Sequence, residues 1–146
     1  MVKSISITSP GVICYPLHRH SFCEIMYYTK GTGFLKTEYG DYPFSPGTAI
    51  IVPPNVLHGS VSENGFKNIS VGGSFDNIII GDKPISVTSA ADAAVLGGLI
   101  YKNRFSSAEY LNILADCYTL SLMQAHNSDS QIAAAVKKIV NAISEN

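Results

Sequence analysis

The placement of proline, glycine and alanine divides this chain into two stretches with incompatible backbone preferences. All seven prolines and ten of the twelve glycines fall within residues 1–84, whereas eleven of the twelve alanines lie from Ala90 onward. Proline withholds an N–H and glycine favours turns, while alanine is the best helix former. The first stretch is therefore predicted to be strands and turns, and the second helices. At 146 residues and 46% hydrophobic, the chain is long enough for one buried core, and its composition excludes disorder. A net charge of −1 with only Arg19 and Arg104 as arginines makes it a poor candidate for gripping a phosphate backbone by itself.

Short apolar or β-branched runs follow one another through the first stretch: Ile5 and Ile7, Val12–Tyr15, Cys23–Thr29, Phe34–Tyr39, Ala49–Val52, Val61, Ile69–Val71, Ile78–Ile80 and Ile85–Val87. Turn signals separate them, among them Gly31-Thr-Gly33, Pro46-Gly47, Pro53-Pro-Asn55 and Glu63-Asn-Gly65. This spacing predicts an antiparallel sandwich or barrel and leaves no room for βαβ crossovers.

About three helices are expected afterwards. Ser89 with Asp92 and Ser106 with Glu109 have capping-box spacing, and Ser130 can cap a third helix. Val95, Leu96, Leu99 and Ile100 form one stripe. The second helix is apolar nearly all round, through Tyr110, Leu111, Ile113, Leu114, Cys117, Tyr118, Leu120 and Leu122. Such a helix needs partners on more than one side, most simply the barrel and a second copy of the chain. Ile132, Val136, Ile139, Val140 and Ile143 give the third helix its stripe. His126 falls at the expected end of the second helix, where it would act as a structural cap. Lys137-Lys138 reads as a solvated face.

Three of the four histidines lie in two small groups: His18-Arg19-His20 followed by Glu24, and Pro53-Pro-Asn55-Val-Leu-His58. On a strand, His18 and His20 leave the same face about 7 Å apart. Imidazoles and a carboxylate suit zinc, nickel, iron or manganese. Glu24, however, would lie about 20 Å from His18 along a straight strand, so the chain must bend, most naturally at Ser21-Phe22. Two readings of His18, His20, Glu24 and His58 stand: a mononuclear metal site, or a pocket lining that hydrogen-bonds a ligand, water or one another. Strand parity places Met26 and Tyr28 on the inner face with Glu24, and Tyr27 outside. Tyr28 then either contacts a small polar ligand or simply fills the barrel. Cys14, Cys23 and Cys117 form no zinc-knuckle spacing and read as small core hydrophobes.

The pattern Gly11, His18, His20, Glu24, Gly31 and then Gly47, Pro53, His58 resembles the two motifs of the cupin superfamily. Asn55 stands where that family has Gly, and Ser62 where it has Asn. More narrowly, HRHSFCEIMYYTKGTG and YPFSPGTAIIVPPNVLH are similar to the N-terminal sensor domain of AraC-type transcription regulators. The resemblance implies a double-stranded β-helix of jelly-roll type over residues 1–88. It further implies two helices at 89–128 that pack on the barrel, with a homodimer interface through 89–126. A linker helix at 129–146 would lead to a helix-turn-helix DNA-binding domain outside this chain.

The expected function is accordingly sensing of a small-molecule effector inside the barrel, with pocket residues His18, His20, Glu24, Met26, Tyr28 and His58. A divalent transition metal (Zn, Ni, Mn or Fe) on His18, His20, Glu24 and His58 is the candidate cofactor. DNA contact would come only through the missing domain. The alternative is a stand-alone metal-dependent cupin enzyme, an isomerase, dioxygenase or decarboxylase. The start MVKSISITSP has no signal-peptide core and no apolar run spans a membrane, so a cytoplasmic protein with reduced thiols and no membrane partner is expected.

Overall fold

The computed structural model describes residues 1–88 and 90–144. Eight strands come first: β1 (Val2–Ile7), β2 (Cys23–Lys30), β3 (Gly33–Thr37), β4 (Gly40–Phe44), β5 (Ala49–Val52), β6 (His58–Val61), β7 (Lys67–Gly73) and β8 (Ile85–Val87). Two helices follow, α1 (Ala91–Lys102) and α2 (Ala108–Ser144). The strands make a five-stranded sheet in the order β1-β7-β2-β5-β8 and a three-stranded sheet in the order β4-β3-β6, all antiparallel.

The mainly-β reading with helices at the C-terminus describes this architecture, with two corrections. Among the described residues no ladder joins the two sheets, so they face one another without closing into a hydrogen-bonded barrel. The expected strand Val12–Tyr15 is part of the reason. Pro10 and Pro16 lack the N–H groups a continuous ladder needs, and the segment meets β6 only through isolated bridges, Cys14 to Val61 and His18 to His58. Pro43 is accommodated because β4 is an edge strand.

The second correction concerns the helices, of which there are two rather than about three. Neither Pro nor Gly occurs between Ala108 and Ser144, and the expected second and third helices run together as α2. Ser130 and His126 therefore sit inside the helix and cap nothing. At the start of α2 the capping hydroxyl belongs to Ser107, not Ser106: its Oγ accepts the Tyr110 N–H at 3.2 Å. Ser89 of the other expected capping box, and residues 145 and 146, lie outside the described residues.

The five-stranded sheet has two unlike faces. Ile5, Ile25, Tyr27, Ile51, Ile69, Val71 and Val87 turn to one side, where α1 and the first half of α2 cover them with Ile100, Leu111, Leu114, Tyr118 and Leu122. Tyr27 is thus outside the space between the sheets yet buried. Met26, Tyr28, Ile50 and Val52 turn to the other side and meet Leu35 and Phe44 of the small sheet, with Val56 and Phe66. Tyr28 stacks on Phe44 with ring centroids 3.8 Å apart.

Burial along α2 stops early. Its buried residues run from Leu111 to Leu122, while residues 131–144 are exposed on every side. The second half of the helix gains no buried packing among the described residues, and local propensity seldom sustains a helix in water. Amide hydrogen exchange on this chain is therefore expected to show strong protection over 111–122 and at least about a hundredfold less over 131–144. Equal protection of the two halves would contradict this division.

Candidate metal and ligand site

The histidine-bearing segment lies over β6 as an extended strap. The Tyr15 N–H donates to the Ser60 carbonyl at 2.8 Å, and His18 and His58 exchange backbone bonds of 2.9 Å each. This approach requires Gly59, since a Cβ there would stand 2.5 Å from the Tyr15 carbonyl oxygen. After His20 the chain bends at Ser21 and Phe22 and enters β2, which delivers Glu24. Asn55 forms the turn ahead of His58 with φ of 65°, a conformation asparagine tolerates better than most residues. That turn also anchors the strap: the Asn55 N–H donates to the His20 carbonyl at 2.8 Å, and Arg19 Nη1 donates to the Asn55 carbonyl at 3.2 Å.

His18, His20, Glu24 and His58 come together, one candidate ligand atom from each lying within 4.8 Å of the others. His58 is fully buried, His20 and Glu24 are half-buried, and His18 is exposed. Each imidazole uses Nδ1 on a backbone carbonyl two residues away: His18 on Pro16 at 2.8 Å, His20 on Phe22 at 3.1 Å, and His58 on Val56 at 2.8 Å. A carbonyl only accepts, so Nδ1 carries the proton. In the neutral ring Nε2 is then left with its lone pair. The buried Nε2 atoms of His20 and His58 have no hydrogen-bond partner. They face the Glu24 carboxylate instead: His20 Nε2 touches Oε2, and His58 Nε2 lies 3.9 Å from it. Acceptors converging in this way require a cation among them, either protons or a metal ion.

Burial alone would raise the Glu24 carboxyl, but the hydrogen-bonding contact with His58 and the charge of His20 hold it below the ordinary carboxylate value. Burial alone would lower His58, and the contact with Glu24 together with the Val56 carbonyl raises it instead. The Ser70 hydroxyl donates to Glu24 Oε1 at 3.1 Å, orienting the carboxylate. The donor set and the orphaned Nε2 atoms fit a divalent transition metal. Cys23, beside Glu24 in sequence, is not part of the group; burial and then the Glu24 charge push its thiol up to about 12, leaving it inert.

A chamber of about 170 Å³ opens on this group, lined by His18, Glu24, Met26 and His58. His20 and Tyr28 do not line it. His20 stacks flat on Phe22 with centroids 4.3 Å apart, and Tyr28 fills the space between the sheets, its hydroxyl 2.7 Å from Ser60 Oγ. Ile7, Tyr15 and Gly59 also line the chamber, and the polar part of its wall was not foreseen from sequence: Ser4 and Ser6 of β1, Ser60 of β6, and Asn68 and Ser70 of β7. Their signal was available, because polar residues at every second position of a strand mark one face. A wider groove of about 630 Å³ beside β3 includes none of the four clustered residues.

Residues 8–76 match the family described as AraC-like ligand binding domain. No curated protein sequence matches the chain. Among solved structures it is similar to apo ToxT from Vibrio cholerae, at 8% identity and a TM-score of 0.64 over 86% of this chain and 55% of that one. That likeness concerns the fold. Weaker likenesses, both with a TM-score of 0.40 over 47% of this chain, are an RmlC-like cupin from Shewanella frigidimarina at 22% identity and a Cupin 2 conserved barrel domain protein from Salinispora arenicola at 26%. These alignments cover 64% and 58% of the two cupin chains, so this chain spans less than two thirds of each of the three structures.

The strap geometry generates a direct test. Gly59→Ala places a methyl group against the Tyr15 carbonyl and must lift the segment that carries His18. The expected cost is about 1–3 kcal/mol in urea denaturation, as for overpacking elsewhere. An unchanged midpoint would show that the strap does not lie on β6.

Proposed function

We propose that this chain, whose residues 8–76 carry an AraC-like ligand binding domain, is the small-molecule sensor of a transcription regulator, with the effector bound in the chamber beside His18, Glu24 and His58. The two facing sheets are read as a cupin jelly roll whose seam is bridged by the strap. One observation carries the reading: His18, Glu24 and His58 line one side of a polar chamber, and together with His20 they form a group of four side chains within the matched residues able to hold a metal ion. Apart from those four, the chamber wall contributes Tyr15 as its only other titratable group among the described residues. A wall with so few proton donors favours sensing over turnover.

In this reading His18, His20, Glu24 and His58 hold one divalent ion, which would supply a Lewis-acidic anchor for effector oxygen atoms. The chain's own residues set the rest. The backbone carbonyls fix the ring tautomers, Ser70 aligns the carboxylate, and the Asn55 turn holds the strap against β6. Sensing also requires that the effector bind two arrangements of the protein with different affinity. The strap is suited to that role, because it carries two of the four ligands and joins β6 only through isolated bridges.

The helices supply a further part of the reading. Opposite the buried face of α2, Tyr110, Ile113, Cys117 and Leu120 form an exposed row at three- and four-residue spacing. Such an apolar row is suited to a second copy of the chain, giving a homodimer through residues 89–126. DNA contact belongs, in this reading, to a separate domain, since a net charge of −1 makes this chain a poor candidate for gripping a phosphate backbone by itself.

Two measurements check these proposals. Metal analysis and calorimetry are expected to show one zinc or nickel ion per chain. His58→Ala and the exposed-site variant His18→Ala should each weaken binding by at least about tenfold, with the fold retained in His18→Ala. No stoichiometric metal in the parent chain would end the metal reading. Sedimentation at tens of micromolar is expected to show a dimer that Ile113→Glu converts to a folded monomer; a parent chain monomeric throughout would end the dimer reading.

A further inference from the structure

The space between the sheets is divided in two. Toward β3, β4 and β5 it is packed with Tyr28, Leu35, Phe44, Ile50 and Val52. Toward β1 and β7 the same interior face carries Ser4, Ser6, Asn68 and Ser70, where a structural core would carry aliphatic residues. Register explains how they gather: Ser6 lies opposite Ser70, and Ser70 opposite Met26, so one cross-strand row runs along the chamber wall. On the other face of these strands Ile5, Ile69 and Val71 pack under the helices. The polar wall is thus specific to the chamber.

Charge and size then limit what can occupy it. Among the described residues no lysine or arginine lines the chamber, so nothing in its wall neutralises an anion. A divalent ion on Glu24 and three neutral imidazoles leaves one net positive charge in a partly buried setting. Unpaired charge there is costly, and a ligand bearing one negative charge removes it, whereas a neutral polyol leaves it in place and a dianion reverses it. The volume of about 170 Å³ is close to a cavity of roughly 150 Å³ that holds benzene, so an occupant of about six to eight non-hydrogen atoms fills it. Hydroxyl and amide groups along the wall match further oxygen atoms on such a molecule.

From these constraints, and resting on the metal reading above, we infer that the effector is a small monocarboxylate with a neighbouring hydroxyl or oxo group. It chelates the ion through both functions while the serine wall of β1 and β7 takes its remaining oxygen atoms. Ser4 and Ser6 are exposed and form the mouth through which it enters.

The test uses this chain with zinc alone, and then zinc-loaded chain titrated with three probes of similar size. Lactate has both functions, propionate lacks the hydroxyl, and propane-1,2-diol lacks the charge. Calorimetry is expected to show lactate binding one to one and at least about tenfold tighter than either control, with no binding to metal-free protein. Ser6→Leu fills the mouth from an exposed position, and should weaken lactate at least about tenfold at unchanged zinc stoichiometry. Zinc binding with three indistinguishable probes, or undiminished lactate affinity in Ser6→Leu, would overturn the inference and leave the metal reading standing. Absence of zinc binding would overturn both.

Discussion

The candidate site depends on three hydrogen bonds that look minor in isolation. His18, His20 and His58 each commit Nδ1 to a carbonyl only two residues away, at Pro16, Phe22 and Val56. Local backbone geometry therefore sets the tautomer before any long-range contact is considered. The fold then brings the three Nε2 edges and the Glu24 carboxylate into one place. Without a cation this is an assembly of acceptors facing one another, with two of its nitrogens buried and unpartnered. Both nitrogens face the Glu24 carboxylate, itself a candidate ligand, so the contact they make does not compete with ligation.

The rest of the structure can be read as support for that assembly. The strap must lie flat on β6 to place His18 beside His58, and Gly59 permits the approach. The bend at Ser21 and Phe22 turns the chain so that Glu24 returns toward His20, and Phe22 stacks against the His20 ring. On the far side of the large sheet, the helices bury the apolar face of β1, β7 and β2. That anchoring frees the opposite face of β1 and β7 to be polar without loss of the core. A sheet with one face wholly buried has its register firmly specified, which in turn fixes which serines meet the chamber.

Much of this was legible in the residues. The proline and glycine partition separated strands from helices, and the spacing of His18, His20, Glu24 and His58 marked a cluster whose geometry demanded a bend. The rest was hidden for identifiable reasons. The split of α2 into two helices was inferred from Ser130, a residue that caps well, but nothing breaks the helix around it, and a helix without a breaker continues. The strap reads as a strand by its short apolar run Val12–Tyr15, yet Pro10 and Pro16 on either side interrupt the pairing. The chamber wall went unseen because Ser4 with Ser6, and Asn68 with Ser70, are ordinary polar alternations on two separate strands. Only the register between β1 and β7 makes them neighbours.

Imidazole nitrogen NMR on zinc-loaded protein tests the central claim most directly, because it reports the proton and the ligand of each ring separately. The account predicts that His18, His20 and His58 all carry the proton on Nδ1 and show zinc-shifted Nε2 resonances, while His126, inside α2, is unaffected. A proton on Nε2 of any of the three, or zinc shifts at Nδ1, would contradict it.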